Sequence, residues 1–269
     1  MSNVIRSPEH SSRATGLTFI GFLLFASITV APAQVRALEY SGPNGPQSWG
    51  GLCNIGRSQT PIDIVSSEAV VDRSLSVLKV DYSSRTRATI TNSAVNLELE
   101  VDGEMPFGKL YLDDTYNLIG FHFHAPSEHE INGQSYDLEL HLVHQIDSSN
   151  STDLAVIGLL YNQGHDDSST DLFLQQVFDA LPSVLVPNTT RYMDTNLDFC
   201  PLYPMLAGSY ARYAGSLTTP PCSENVIWTV MLNENLRVSP RQFEAYKSVF
   251  EAPNSRPLQN LSGRTVTFF

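Results

Sequence analysis

Phe121-His122-Phe123-His124 alternates aromatic and imidazole side chains, and Leu138-Glu139-Leu140-His141-Leu142-Val143 alternates leucine with polar groups. A period of two belongs to the β-strand, so His122 and His124 leave one face of one strand. Glu139 and His141 share a face of another. The spacing is met when the two strands are neighbours. Three neutral imidazoles converging from a rigid sheet leave one tetrahedral position open, the arrangement of a catalytic rather than a structural zinc. No soft ligand lies nearby, which argues against an iron–sulfur cluster, and nothing forces a carboxylate into the ligand set, as in non-haem iron sites.

Working outward, further alternating runs predict strands over Leu78 to Tyr82, Ala88 to Thr91, Val95 to Val101, Tyr116 to His124, Tyr136 to His144 and Leu154 to Tyr161. Two amphipathic stretches, Asp171 to Leu181 and Pro240 to Phe250, predict helices, the second with Pro240 near its start. Many strands and few helices imply a mainly β (α+β) fold with a large twisted, mostly antiparallel central sheet and short peripheral helices. There is no internal repeat and no heptad. Before the sheet, Ser41-Gly42-Pro43-Asn44-Gly45-Pro46 predicts an irregular surface loop closed by Trp49.

The chain has 269 residues. Arg13 precedes an uncharged apolar run from Leu17 to Val30, followed by Ala31-Pro32-Ala33. This is the pattern of a secretory signal peptide, and the run is too short for a membrane span. Cleavage is expected after Ala33, with Ala37 as the alternative and a short membrane anchor as the rival reading. Residues 34–269 are then one domain, with no membrane span in the mature chain. A net charge of −12, without a basic patch, argues against nucleic-acid binding.

A secretory route places the chain outside the cell or in a lumen reached through that pathway. There the three cysteines, Cys53, Cys200 and Cys222, predict one disulfide and one free thiol, with three pairings open. Asn150, Asn188 and Asn260 begin N-x-S/T triplets that are glycan acceptors in a eukaryotic host.

Other residues frame the histidines. Glu139 shares a strand face with His141 and is placed to accept its second N–H. His129 is either a fourth ligand or a hydrogen-bonded supporting group, and three ligands plus water favour the latter. His144 faces away from His141, while His10 lies in the leader and His165 in an acidic loop. In Gly215-Ser216-Leu217-Thr218-Thr219-Pro220-Pro221-Cys222, two hydroxyls precede a rigid double proline. This is a plain turn, or a loop in which Thr218 donates to Glu128 and aims a zinc-bound hydroxide at substrate.

Together these motifs resemble the α-class carbonic anhydrases over nearly all the chain after the leader. Supporting matches are Tyr40 with Gly45-Pro46 and Trp49, Gln59-Thr60-Pro61-Ile62-Asp63, Tyr213, Trp228 and Arg256-Pro257. The resemblance implies reversible hydration of CO₂ to bicarbonate and a proton by zinc-bound hydroxide, with esterase activity as a side reaction. It assigns zinc to His122, His124 and His141, and orientation of the hydroxide to Thr218 and Glu128. Glu139, His129, Tyr213 and Tyr40 become supporting residues. Substrate is expected against Thr218, Thr219, Val143, Val156, Leu217, Val226 and Trp228. The resemblance also selects Cys53 with Cys222 as the disulfide.

Three positions depart from the family pattern. Ser93 stands where fast members carry a histidine that shuttles protons, and a hydroxyl cannot titrate near neutral pH. Gly120 replaces a common glutamine and Ala125 a common tryptophan, both changes expected to remove bulk near the site. The rival functions are a catalytically weak or inactive relative used for binding or storage, and a zinc hydrolase.

Overall fold

The computed structural model describes residues 38–102, 106–148 and 153–269, so the leader, its cleavage site and Asn150 lie outside the described residues. Within the described residues, 38–269 form one compact unit. Among the described residues fifteen strands occur in chain order. The first five are β1 (Asp63–Ile64), β2 (Val70–Val71), β3 (Lys79–Tyr82), β4 (Ala88–Asn92) and β5 (Leu97–Val101). Next come β6 (Gly108–Tyr111), β7 (Thr115–His124), β8 (Glu130–Ile131), β9 (Leu138–Ile146) and β10 (Leu154–Gln163). The last five are β11 (Thr189–Tyr192), β12 (Tyr210–Ser216), β13 (Glu224–Met231), β14 (Arg237–Val238) and β15 (Thr267–Phe268).

Thirteen of them form one sheet whose main path runs β11-β4-β5-β7-β9-β10-β13-β12-β15-β2. Most pairs are antiparallel, as expected. The exceptions within this path are β10 with β13 and β15 with β2. The parallel β10–β13 pair joins the histidine-bearing half of the sheet to the half that carries Trp228.

Alternation along the central strands divides the molecule into two cores. Phe121 and Phe123 of β7, Leu138, Leu140 and Leu142 of β9, and Ile157 and Leu159 of β10 enter the larger core. Two helices cover this face, α2 (Leu172–Phe178) and α4 (Pro240–Lys247), while α1 (Leu52–Ile55) and α3 (Tyr203–Leu206) are single turns. Phe173, Leu174, Val177 and Phe178 of α2, with Tyr246 of α4, bury their side chains there. Val156, Leu160, Val226, Trp228 and Val230 point the other way into a smaller core with Ile62 and Tyr213.

Local chemistry sets the helix bounds. Asp171 caps α2 by accepting from the backbone N–H of Phe173 and Leu174. α2 ends before the expected Leu181, because Pro182 has no N–H to donate to the Phe178 carbonyl; a 3₁₀ turn spans Leu181–Val184 instead. Ser239 and Gln242 form a capping box on α4, with Pro240 in its first turn. α4 stops at Lys247 rather than Phe250. The strand expected from Val95 begins at Leu97, since Ala94 has φ +76° and Ser93 donates its N–H to the Asn96 carbonyl across a turn.

Candidate metal centre

β7 and β9 are antiparallel neighbours, with His122 opposite His141 and His124 opposite Glu139. Their second faces therefore gather the three histidines whose ring nitrogens lie within 4.8 Å of one another. His122 Nε2 is 3.2 Å from His141 Nδ1. The His124 Nδ1–H donates to the Asn254 carbonyl at 2.8 Å, which leaves Nε2 as a lone pair. That Nε2 is buried and has no protein partner. His141 donates Nε2–H to Glu139 Oε1 at 2.7 Å, so its lone pair is on Nδ1, toward the other two rings.

Burial holds His122 well below the ordinary imidazole range, helped by His141 and His124. Burial likewise pushes His124 down to about 4. Neutral rings with convergent lone pairs, one of them an orphan in the interior, fit a zinc ion.

Behind the rings lies a fully buried carboxylate. Glu139 Oε1 accepts from His141 Nε2 and from His129 Nδ1, each at 2.7 Å. Its Oε2 accepts the backbone N–H of Glu128 and His129, each at 2.8 Å. Burial alone would raise its pKa, but these donors outweigh it and hold Glu139 well below the usual carboxylate range. Gly158 sits opposite His141 on β10, and a Cβ there would come within 3.1 Å of Glu139 Oε1. A larger residue would crowd the carboxylate. His129, Glu139 and His141 could themselves group around an ion. Glu139 Oε1, however, already takes an N–H from each ring, and His129 Nε2 is bonded to the Tyr213 hydroxyl at 2.6 Å. His129 thus stands in a supporting network, not in the convergent set.

Glu128 is equally buried. Its Oε1 accepts the Arg256 backbone N–H at 2.9 Å, and burial raises the carboxyl to about 7. The Thr218 hydroxyl is close enough to favour the ionised form. Oε2 still lacks a partner at full hydrogen-bond geometry. The Thr218 loop is closed by Leu217 N–H to Ser223 O and Cys222 N–H to Thr219 O. Cys222 is joined to Cys53 by a disulfide, and Cys200 is free and exposed.

Val143, Val156, Leu217, Val226 and Trp228 all belong to the smaller core, where the His141 and Trp228 rings meet at 4.8 Å. Thr219 lines a cavity of about 270 Å³ together with His122, Val143, Asn96, Glu98 and Gly120. Gly120 therefore does open space beside the rings. Ala125 does not: it is buried in the larger core. Tyr40 packs edge-on against Trp49, and its hydroxyl is buried without a partner. Burial, then the charge of Glu128, pushes the phenol far above its usual value.

His144 is buried on the other face, bonded to the Tyr82 hydroxyl, and His165 is exposed. Asn188 and Asn260 are exposed. One contributor escaped the sequence reading: Asn254, whose carbonyl holds His124 and whose side chain bonds Ala125 N–H, Val95 O and Phe123 O. Its only sequence signal is its place two residues before Arg256.

The sequence profile of the eukaryotic-type carbonic anhydrases matches residues 44–269. The chain belongs to this family. A carbonic anhydrase of a Nostoc species is 35% identical over 261 residues, covering 93% of each chain. Dioscorin DB3S of Dioscorea polystachya is 32% identical and covers 96% of each. Among solved structures, the α-carbonic anhydrase of Thermovibrio ammonificans, in complex with the inhibitor sulfanilamide, superposes with a TM-score of 0.75 at 35% identity. It covers 86% of this chain and 98% of its own. The carbonic anhydrase fold accounts for the mixed sheet and for the position of the histidines on its central strands.

Proposed function

We propose that this chain is an active zinc carbonic anhydrase that interconverts CO₂ and bicarbonate. The observation that carries this reading is the convergence of His122 Nε2, His124 Nε2 and His141 Nδ1, backed by a carboxylate and faced by an apolar core. Bound there, zinc supplies a Lewis acid that makes water a nucleophile at neutral pH. Glu139 fixes the tautomer of His141 and stays ionised while doing so. Glu128, anchored by Arg256, accepts from Thr218 and so turns that hydroxyl's lone pairs toward the reacting oxygen. Val143, Val156, Leu217, Val226 and Trp228 form a wall without charge that suits CO₂, and Thr218 and Thr219 contact the polar side of the substrate.

Zinc content per chain and CO₂ hydration followed by stopped flow test this proposal. Stoichiometric zinc and hydration above background are expected, and His141→Ala should remove both. Zinc without hydration would leave a binding or storage protein. With Ser93 at the position where the resemblance places a shuttle histidine, turnover should rise with buffer concentration and with added imidazole; turnover indifferent to buffer would refute an external proton carrier. Export through the secretory pathway is part of the same reading, supported by the Cys53–Cys222 disulfide and by the exposed acceptors Asn188 and Asn260.

A further inference from the structure

The three imidazoles are braced unequally. His124 and His141 each have a protein acceptor on the nitrogen turned away from the centre, Asn254 O at 2.8 Å and Glu139 Oε1 at 2.7 Å. His122 turns Nε2 inward, and among the described residues no protein group bonds its Nδ1. The ring instead lines the cavity of about 270 Å³. Gly120, two residues earlier on the same strand face, offers no side chain. A Cβ there would come within 2.8 Å of the Leu99 carbonyl, so a longer residue would require β5 to move.

Across the strand pair, Glu98 of β5 is in register with His122 of β7. Residues directly opposite have Cβ atoms roughly 4.5–5.5 Å apart, within reach of a glutamate carboxylate. Leu97 and Leu99 are fully buried in the larger core, so alternation puts Glu98 on the cavity face, where it is among the lining residues. The carboxyl is half-buried, and the Ser93 hydroxyl, which donates to the Asn96 carbonyl at 3.2 Å, lies close enough to favour its ionised form. Glu100 is exposed and stands opposite Gly120, one strand period farther away.

We propose that Glu98 is the positioning residue for His122: its carboxylate accepts the Nδ1–H, directly or across one cavity water, and so presents Nε2 to the metal. This inference rests on the zinc reading above. The partner comes from the neighbouring strand, since Gly120 on the ligand's own strand has no side chain to offer.

The test measures zinc affinity by chelator competition, and zinc release rate, on the native chain and on Glu98→Ala, Glu98→Gln and Glu100→Ala. Loss of an outer partner typically costs about 10–100-fold in metal affinity, and that is the loss expected for Glu98→Ala. Glu98→Gln keeps an acceptor oxygen and should recover most of the affinity. Glu100→Ala, which removes the same charge nearby, should stay close to native. Unchanged affinity and release in Glu98→Ala, or an equal loss in Glu100→Ala, would overturn the proposal. A second measurement needs no variant: in ¹⁵N-labelled, zinc-loaded native protein the His122 Nδ1–H should show the slow exchange of a bonded proton. Exchange as fast as in free imidazole would refute the brace. A native chain that takes no zinc would overturn the zinc reading itself, a result distinct from either of these.

Discussion

His144 is an imidazole on β9 that the site does not use, and it shows what burial alone does to this side chain. Its Nδ1–H donates to the Ala155 carbonyl at 3.1 Å and its Nε2 is bonded to the Tyr82 hydroxyl at 2.8 Å. Burial lowers its pKa to about 4. The unfolded chain therefore takes up a proton near the ordinary value of about 6.5, while the folded chain does not. Stability from this residue is complete above that value and is lost as pH falls toward 4, a contribution on the order of 3 kcal/mol in total. Between about pH 7 and about pH 5, the native chain should lose roughly 2 kcal/mol more than His144→Gln. Urea unfolding at the two pH values measures it, and parallel losses in both proteins would refute it.

At the scale of elements, the segment Asn254-Ser255-Arg256 acts as a splint. Asn254 bonds β7 at Phe123 O, the end of that strand at Ala125 N–H, and the approach to β5 at Val95 O. Arg256 holds Glu128 with its backbone and clamps Cys53 O, Gln59 Oε1 and Thr60 O with its guanidinium. Removing the buried amide in Asn254→Ala leaves several polar groups unpaired, and should cost about 2–4 kcal/mol while speeding zinc release. Denaturant unfolding and chelator-driven release check the two halves of that statement.

The contrast with the histidines shows what the sequence discloses. Strand parity placed His122, His124, Glu139 and His141 on one face, because a period of two is local. Val156 and Trp228 came from the family resemblance instead, and the strand that carries Trp228 was not among those expected. The Asn254 carbonyl carries no side-chain signature, and its meeting with His124 spans 130 residues of chain. The parallel register of β10 with β13 is likewise set by packing between distant segments. Gly158 and Glu98 are visible only once their neighbours across the sheet are known.

For the whole molecule, the Cys53–Cys222 bond closes a loop with a sequence separation of 169. Closing so long a loop restricts the unfolded chain by about 5 kcal/mol in the chain-entropy account. Reduction, or a Cys53→Ala and Cys222→Ala pair, should therefore lower the melting temperature sharply. A melting temperature unchanged by reductant would show that the bond constrains little.

The splint has a further consequence, in time rather than in energy. The three imidazoles are all in place by residue 141, yet Thr218, Asn254 and Arg256 lie far toward the C-terminus. Synthesis runs from the N-terminus. A growing chain thus carries all three histidines long before it carries the groups that aim His124 and Glu128, so the convergent arrangement is completed only when the C-terminal segment has been made.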